Sequence, residues 1–342
     1  MEKESNNTNN SVYSMSKTLD NNNNNSVINQ LKPDIKTIEQ LSREAYTLKK
    51  KADNKFNPGC CLDTLCTSKT KRYEEACELY KKAGDKYKIC GQWRMAGECY
   101  DNCAKMQTSL KGNPVPFYQD SFFCYSRSNS INNSSIAFEK MNSYLERQGD
   151  FYQAGKNNEN LAIKNENEEK YDNAIDYYLQ AYKYYETDGN HESLKINMEK
   201  KVAELMMIYN HPDAPEKVPR MLEDIGNNYL KKSLTKYSAP DYYGKAILSI
   251  IYYSNNASEG TIYINKYKNI DKSFEESTIY DLCCKIVDCM EKKDGNKLKV
   301  VIKEYKEICD TDEFMDNILN KLVDKISVNN YNGNNIEEED LK

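Results

Sequence analysis

The stretch YEEACELYKKAGDKYKICGQWRMAGECYDNCAKM, from Tyr73 to Met106, decides the fold. Its apolar and small residues recur at steps of three and four, which places them on one face of an α-helix. A polar break at Gly91 and Gln92 separates two such stripes, so the stretch predicts an antiparallel helical hairpin. The first stripe comprises Tyr73, Ala76, Cys77, Tyr80, Ala83 and Tyr87, and the second comprises Trp93, Ala96, Gly97, Tyr100, Cys103 and Ala104.

Small residues at the facing positions let the two helices approach closely, and we expect the tyrosines to fill the wider gaps. The pattern returns later, with a break at Asp188 to Asn190, and a weaker copy breaks at Gly149. The clear copy comprises Tyr171, Ala174, Ile175, Tyr178, Ala181, Tyr182 and Tyr185. A period of roughly forty residues is near that of tetratricopeptide-type repeats, whose hairpins stack because one alone cannot bury its stripe. The alternative is a set of unrelated amphipathic helices, which the matching places of the small residues disfavour.

Composition supports a helical protein. Among 342 residues there are only 13 Gly and 8 Pro, while charged residues make up 30%. The 28 tyrosines suit an extended structure with many half-buried positions, because the ring packs while the hydroxyl reaches water. A net charge of −5 argues against general nucleic-acid binding. The predicted fold is all-α, a tetratricopeptide-like superhelical sheet of antiparallel hairpins capped by a C-terminal helical bundle.

The sequence carries no sign of catalysis or of a bound cofactor. Its 12 cysteines form no CxxC pair and mostly lie in helical stripes, and with only 2 histidines a zinc site is not expected. Phosphate-loop, HExxH and GxSxG motifs are absent. We therefore expect a binding scaffold, not an enzyme; a hidden enzyme would have to show turnover as the isolated protein. The first ten residues lack a secretory signal and the apolar run Ile247–Tyr253 is too short to span a bilayer, which predicts a cytoplasmic protein.

Four segments follow from the pattern along the chain. Residues 1–33 form an Asn-rich segment that we expect to be disordered, residues 34–235 the hairpin repeats, residues 236–328 the C-terminal bundle, and residues 329–342 a flexible acidic tail. Within these we predict a first helix over Ile35–Lys51 and polar connections over Ser128–Ser135 and Ser327–Asn335.

The segment Lys55–Lys71 interrupts the repeats with strong turn residues and an apolar tip between lysines. Such a loop suits contact with a membrane surface, although it could equally fold back on its own hairpin. Its cysteines could also carry a lipid. The residues predicted to contact the membrane are Phe56, Cys60, Cys61, Leu62 and Leu65.

Four motifs together resemble the alpha-SNAP family, the soluble attachment proteins that link SNARE complexes to the AAA ATPase NSF. They are YEEACELYKKAGDKYK followed by Trp93, LTKYSAPDYYGKA at Leu234–Ala246, VIKEYKEI at Val301–Ile308, and the terminal EEEDLK. The resemblance covers Ile35 to Lys342 and favours the alpha/beta branch over gamma. It implies an adaptor that wraps an acidic, syntaxin-like SNARE bundle, recruits NSF and stimulates its ATP hydrolysis, while contacting membranes peripherally.

The resemblance also implies site residues. By position, Arg127, Lys156 and Lys201 match basic SNARE-binding residues, whereas Asp150 stands where the family usually has a basic residue. Asp288 and Glu291 match acidic positions that face NSF, and Lys292 departs from that set. In the tail, Leu341 matches the penultimate leucine that stimulates ATP hydrolysis, and Glu338, Glu339 and Asp340 precede it. The alternative from another class is a generic tetratricopeptide-like scaffold for peptide tails, which has no reason to end in EEEDLK.

Overall fold

The computed structural model describes the backbone of residues 35–57 and 68–337, and side chains up to residue 326. The chain divides into two compact units between Tyr144 and Leu145. Throughout the described residues the regular structure is helical, which confirms the predicted all-α class. The first unit contains α1 (Ile35–Phe56), α2 (Lys69–Ile89), α3 (Trp93–Ser109), α4 (Val115–Arg127) and most of α5 (Ile131–Gln148).

The second unit begins within α5 and holds the remaining helices. Its hairpin helices are α6 (Phe151–Asn167), α7 (Tyr171–Asp188), α8 (Glu192–Ile208) and α9 (Ala214–Leu230). A short 3-10 helix (Lys236–Ser238) leads to α10 (Ala239–Ser254), α11 (Ala257–Ile270), α12 (Lys272–Glu275), α13 (Thr278–Glu291), α14 (Gly295–Ile308) and α15 (Glu313–Glu337). One continuous apolar core joins the hairpin helices to the later ones. The boundary expected at 235/236 stays a prediction.

The hairpin quoted first from the sequence is confirmed in the first unit. α2 packs on α3, and the turn between them passes through Gly91 with a positive φ of 70°. The stripe residues form a buried core that includes Ala76, Cys77, Tyr80, Ala83, Tyr87, Ala96, Cys99, Tyr100 and Cys103. Buried cysteines thus serve as small apolar residues, as expected.

The stripe of the clear repeat copy forms α7 in the second unit, and α7 packs both on α6 before it and on α8 after its break. Tyr178 donates to Glu166 at 2.5 Å and Tyr185 donates to Glu159 at 2.6 Å, so residue numbers rise on one helix as they fall on the other. The helices are therefore antiparallel. The predicted break after Asp188 is confirmed, since α7 ends there and Gly189 follows with φ 70°.

A glycine of one helix contacts a tyrosine ring of the next helix in four helix pairs of the described part of the chain, one of which is Gly97 with Tyr125. The other three pairs add a hydrogen bond from the tyrosine. In each, a glycine of one helix lies under the ring of a tyrosine from the next helix, and the tyrosine hydroxyl donates to a polar residue on the glycine's helix. The sets are Gly84 with Tyr100 and Asp85, Gly155 with Tyr185 and Glu159, and Gly226 with Tyr243 and Asn227. These tyrosines therefore pack directly on glycines of the neighbouring helix, where an added Cβ would meet the ring. The expectation that tyrosines fill the wider gaps stays a prediction.

Three predicted segment boundaries were wrong. α1 continues past Lys51 to Phe56 and α2 already begins at Lys69, so the ends of the segment Lys55–Lys71 are helical. Ser68 caps α2 by accepting from the amide of Lys71 at 3.3 Å. The connection expected over Ser128–Ser135 spans only 128–130, because α5 starts at Ile131. The backbone of Ser327–Asn335 continues α15 instead of forming a loose connection.

The last helix, α15, closes the ends of two earlier helices. The ammonium of Lys321 donates to the backbone oxygen of Met207 at 2.5 Å and to Oδ1 of Asn210 at 2.5 Å, at the C-terminal end of α8. One turn later, Lys325 donates to the backbone oxygen of Tyr252 near the end of α10. The last carbonyls of a helix lack partners within it and carry the negative end of its dipole, so lysines stabilise both ends.

Candidate functional site

The first predicted SNARE-binding residue, Arg127, lies at the end of α4 beside two aromatic rings. Its guanidinium carbon is 4.8 Å from the centroid of Trp93 and 5.6 Å from that of Phe123. The two rings meet edge to face, with centroids 6.0 Å apart. Arg127 is exposed and has no ion pair within the described residues, so its charge is available to a partner.

Lys156, on α6, is held by a carboxylate of its own helix. Its ammonium lies 3.0 Å from Glu159, one turn further along. The same carboxylate accepts the hydroxyl of Tyr185, and burial together with this hydrogen bond raises the pKa of Tyr185. An acidic partner at Lys156 therefore competes with Glu159.

Lys201, on α8, bridges two helices. Its ammonium lies 3.2 Å from Glu166 on α6 and 3.2 Å from Glu204 on its own helix. Partial burial acts to lower the pKa of Lys201, but the two carboxylates outweigh it and the net pKa is raised. Because Glu159 and Glu166 lie seven residues apart on α6, the structure brings Lys156 and Lys201 to the same face of that helix.

Asp150 has a structural task that explains its departure from the family pattern. It is the N-cap of α6, and its carboxylate accepts from the backbone amide of Gln153 at 3.1 Å. A capping carboxylate satisfies a free amide and suits the positive end of the helix dipole. A basic residue could not accept that hydrogen bond.

The most exposed large apolar residue in the described chain is Leu234, at 94%, in the connection between α9 and α10. Tyr237 follows at 75% exposure, with the ammonium of Lys236 at 5.1 Å from its ring centroid. Lys231 and Lys232 precede them. The structure thus presents an exposed leucine and tyrosine among lysines. Both residues lie in the motif LTKYSAPDYYGKA, but the sequence pattern did not predict a contact role for them.

The residues matched to the ATPase-facing positions lie in the last turn of α13. Asp288 is paired with Lys292 and with Lys297, the latter at 2.7 Å, and hydrogen bonds from these lysines lower its pKa. Glu291 is exposed and has no ion pair among the described residues. The charge of Asp288 is therefore locally compensated, and Glu291 is the carboxylate left available.

Phe56 is the one predicted membrane contact that the structure describes. It is half-buried at the end of α1, with its ring centroid 5.5 Å from that of Tyr73 on α2. Its ring therefore packs on the hairpin core and does not stand in a loop. Cys60, Cys61, Leu62 and Leu65, and the tail residues Glu338, Glu339, Asp340 and Leu341, lie outside the described residues.

The described residues contain neither a candidate metal site nor a helix that could span a membrane. No group of three or more histidine, cysteine, aspartate or glutamate side chains there could hold a metal ion. Over the same residues, every helix is too short or too polar to cross a bilayer. Four candidate contact regions have been described: Arg127 with its rings, the paired lysines, the Leu234 connection and the last turn of α13.

Comparison with known proteins shows which family the chain belongs to. The family model described as Soluble NSF attachment protein, SNAP, matches residues 43–327. The chain belongs to the SNAP family. The match spans the hairpins of both units and the helices up to α15, so the family assignment made from the sequence motifs is confirmed.

Individual relatives agree with this assignment. The beta-soluble NSF attachment protein of Bos taurus is 26% identical over 251 residues, covering 72% of this chain and 82% of the relative. The human alpha-soluble NSF attachment protein is 23% identical over 279 residues, covering 81% and 92%. The vesicular-fusion protein SEC17 of Komagataella phaffii is 26% identical over 302 residues, covering 87% and 99%. The bovine and human relatives carry beta and alpha names, in line with the predicted branch.

Proposed function

We propose that this SNAP is an adaptor that binds SNARE complexes, recruits NSF and stimulates its ATP hydrolysis, so that SNARE complexes are disassembled after membrane fusion. The observation that carries the proposal is the family match over residues 43–327. The names of its relatives, attachment proteins for NSF and a vesicular-fusion protein, support it. Chemistry is assigned to NSF and not to this chain.

The residues proposed to bind SNAREs, Arg127 in the first unit and the others in the second, provide charge and apolar contact. Arg127, Lys156 and Lys201 supply positive charge for an acidic helical bundle. The Leu234 connection supplies an apolar contact, since an exposed leucine and tyrosine among lysines match a surface on which apolar and acidic side chains alternate. Because Lys156 and Lys201 are already paired with carboxylates, we assign them to orientation and specificity more than to affinity.

The NSF-binding end comprises Asp288 and Glu291 together with the acidic tail. Four consecutive acidic residues before Leu341 can steer the tail to a basic surface. The leucine can then fill an apolar site that the carboxylates cannot. Docking by charge and triggering by Leu341 are thus separate roles in this proposal.

The segment between α1 and α2 is proposed to contact the cytoplasmic face of a membrane. Phe56 packs on Tyr73, so the contact falls mainly to Leu62 and Leu65 and to the cysteines of this segment. Burial of each large apolar side chain is worth at most about 1.5–3 kcal/mol, which makes a joint substitution necessary. Leu62→Ser with Leu65→Ser should reduce disassembly of liposome-anchored SNAREs and spare soluble SNARE fragments; equal loss on both substrates would make the segment structural.

A reconstituted disassembly reaction tests the whole proposal. The full chain, a soluble SNARE bundle and NSF are combined, and capture of the three-part complex is measured beside ATP-dependent release of the SNARE chains. Leu234→Ser with Tyr237→Ser should weaken capture of the bundle, whereas Ile262→Ser, at a comparably exposed apolar position on α11, serves as the matched control. Failure of the unmodified chain to capture the bundle or to promote release would refute the function.

A further inference from the structure

The chain has a single tryptophan, Trp93, and the structure places it in a cluster of aromatic rings and cations on the first unit. Trp93 begins α3 and Phe123 comes from α4. The guanidinium of Arg127 lies over both rings. Lys88, near the end of α2, lies 5.8 Å from the centroid of Phe123. We call these four residues the aromatic–cation cluster.

The two cations of the cluster, Lys88 and Arg127, differ in whether a carboxylate of the protein pairs with them. Lys88 pairs with Asp120 at 3.2 Å, so its charge is compensated within the fold. Arg127 has no such pair in the described part of the chain, and rings alone face it. The rings attract the cation through their quadrupoles, but they do not act as hydrogen-bond acceptors for the five N–H donors of the planar guanidinium. The donors of Arg127 therefore remain free for an anionic partner.

Stacking also changes what binding costs. A free arginine side chain loses rotamer entropy when a partner fixes it. A guanidinium already held over an indole has lost part of that freedom in the free protein. Lys156 and Lys201 lack this arrangement, because each would first have to share or leave a carboxylate.

We propose that Trp93 and Phe123 are positioning residues that hold Arg127 as a preformed receptor for a carboxylate on an acidic helix of the bound SNARE bundle. This inference rests on the proposed function. The occupant is an amphipathic acidic helix, because a carboxylate matches the planar fork of Arg127 while the exposed edge of Phe123, at 44%, offers the adjoining apolar contact. Tryptophan and arginine are also the residue types that most often dominate protein interfaces.

The single tryptophan gives a direct test on the full chain. A SNARE bundle without tryptophan is titrated into the protein while indole emission is recorded, and capture of the bundle is measured in parallel. We expect a saturable change in emission over the concentration range in which capture occurs. If capture occurs and the emission stays unchanged, the cluster is not a contact and the inference is wrong, although the proposed function stands. If the unmodified chain captures no bundle, the proposed function itself fails.

Substitutions separate positioning from simple packing. Arg127→Ala should weaken binding about tenfold or more, since it removes hydrogen bonds to a charged group. The matched control is Arg94→Ala, which removes a neighbouring exposed arginine that pairs with Glu98 and should change affinity less than about twofold. Trp93→Leu should weaken binding about two- to fivefold, and Trp93→Phe should restore most of it because a ring face is kept.

The double substitution decides how Trp93 acts. If the indole works through Arg127, Trp93→Leu should cost nothing further once Arg127→Ala is present. Additive losses would show that Trp93 makes its own contact and would overturn the positioning role. Helical circular dichroism of every variant establishes that the comparison is made between folded proteins. Should Trp93→Leu fail to fold, Phe123→Leu, which removes the other ring that faces Arg127, takes its place in the cycle.

Discussion

Glu199 on α8 is the buried charge from which the structure allows the sharpest prediction. Its side chain is 5% exposed, and its Oε2 atom has no hydrogen-bond partner. Burial and the nearby carboxylate of Asp224 on α9 raise its pKa from 4.5 to about 7, against the opposing effect of Lys195. Glu186 on α7 adds a further negative charge. Ionised Glu199 therefore destabilises the fold.

The magnitude follows from the shift in pKa. Well below pH 4.5 the carboxyl is protonated in both folded and unfolded chains, so Glu199 does not reduce the free energy of unfolding there. As pH rises from 4.5 to about 7, the unfolded chain releases the proton while the folded chain keeps it, and stability is lost. The shift from 4.5 to about 7 corresponds to roughly 3 kcal/mol once both forms are ionised.

Glu199→Gln should remove this loss, because the amide has nearly the same shape and never ionises. The free energy of unfolding of the variant, minus that of the unmodified protein, should rise by roughly 3 kcal/mol between about pH 4 and about pH 8. Taking the change with pH cancels the constant cost of burying the amide. Chemical denaturation followed by helical circular dichroism measures it, with Glu216→Gln, at an exposed position on α9, as the control. A difference that stays flat across this range would falsify the view that Glu199 is buried without compensation.

Four further predictions concern packing, capping and the tail. Ala174→Leu, at a fully buried position on α7, should lower stability by about 1–3 kcal/mol, and an unchanged denaturation midpoint would contradict the packing described. Gly155→Ala should lower stability by a similar amount, because the new Cβ would lie 2.7 Å from Cε1 of Tyr185. The same substitution made in a Tyr185→Leu background should cost much less, and an equal cost in both backgrounds would contradict this contact. Lys321→Met should cost about 1–3 kcal/mol and speed hydrogen exchange in the last turn of α8, whereas unaltered exchange there would argue against its capping role. Leu341→Ala should leave SNARE and NSF binding intact and lower the maximal stimulated ATPase rate; an unchanged rate would leave the tail as a docking element at most.

The hairpins could be predicted from sequence because local signals agree with the fold. Stripes at steps of three and four give the helices, and glycines with positive φ such as Gly91 and Gly189 mark some of the turns. Other turns place a residue such as Glu169 or Asn210 in that conformation, which the sequence does not signal as strongly. The misplaced end of α1 has a physical reason. Phe56 looked like a loop residue beside strong turn residues, but its ring gains a partner in Tyr73 from the next helix, and tertiary contact overrides local pattern.

The sites were harder to predict because they depend on partners distant in sequence. Lys201 looked like a free cation, yet Glu166, 35 residues earlier, is its ion partner. The exposure of Leu234 likewise could not be predicted, because its sequence context does not distinguish an exposed leucine from a buried one. Glu199 did carry a readable signal, since it stands three residues from both Ile196 and Val202 on the buried stripe of α8.

The contact between Lys321 and the end of α8 has a consequence for synthesis on the ribosome. Met207 leaves the ribosome 114 residues before Lys321. At about 5–20 residues per second, that interval lasts roughly 6–23 s. The hairpin of α2 and α3 closes with neighbours that emerge almost together, whereas α8 must wait with its last carbonyls open to water or to a chaperone. This end of α8 is therefore completed late, and a nascent chain that stalls before α15 leaves the carbonyl oxygen of Met207 without its lysine partner.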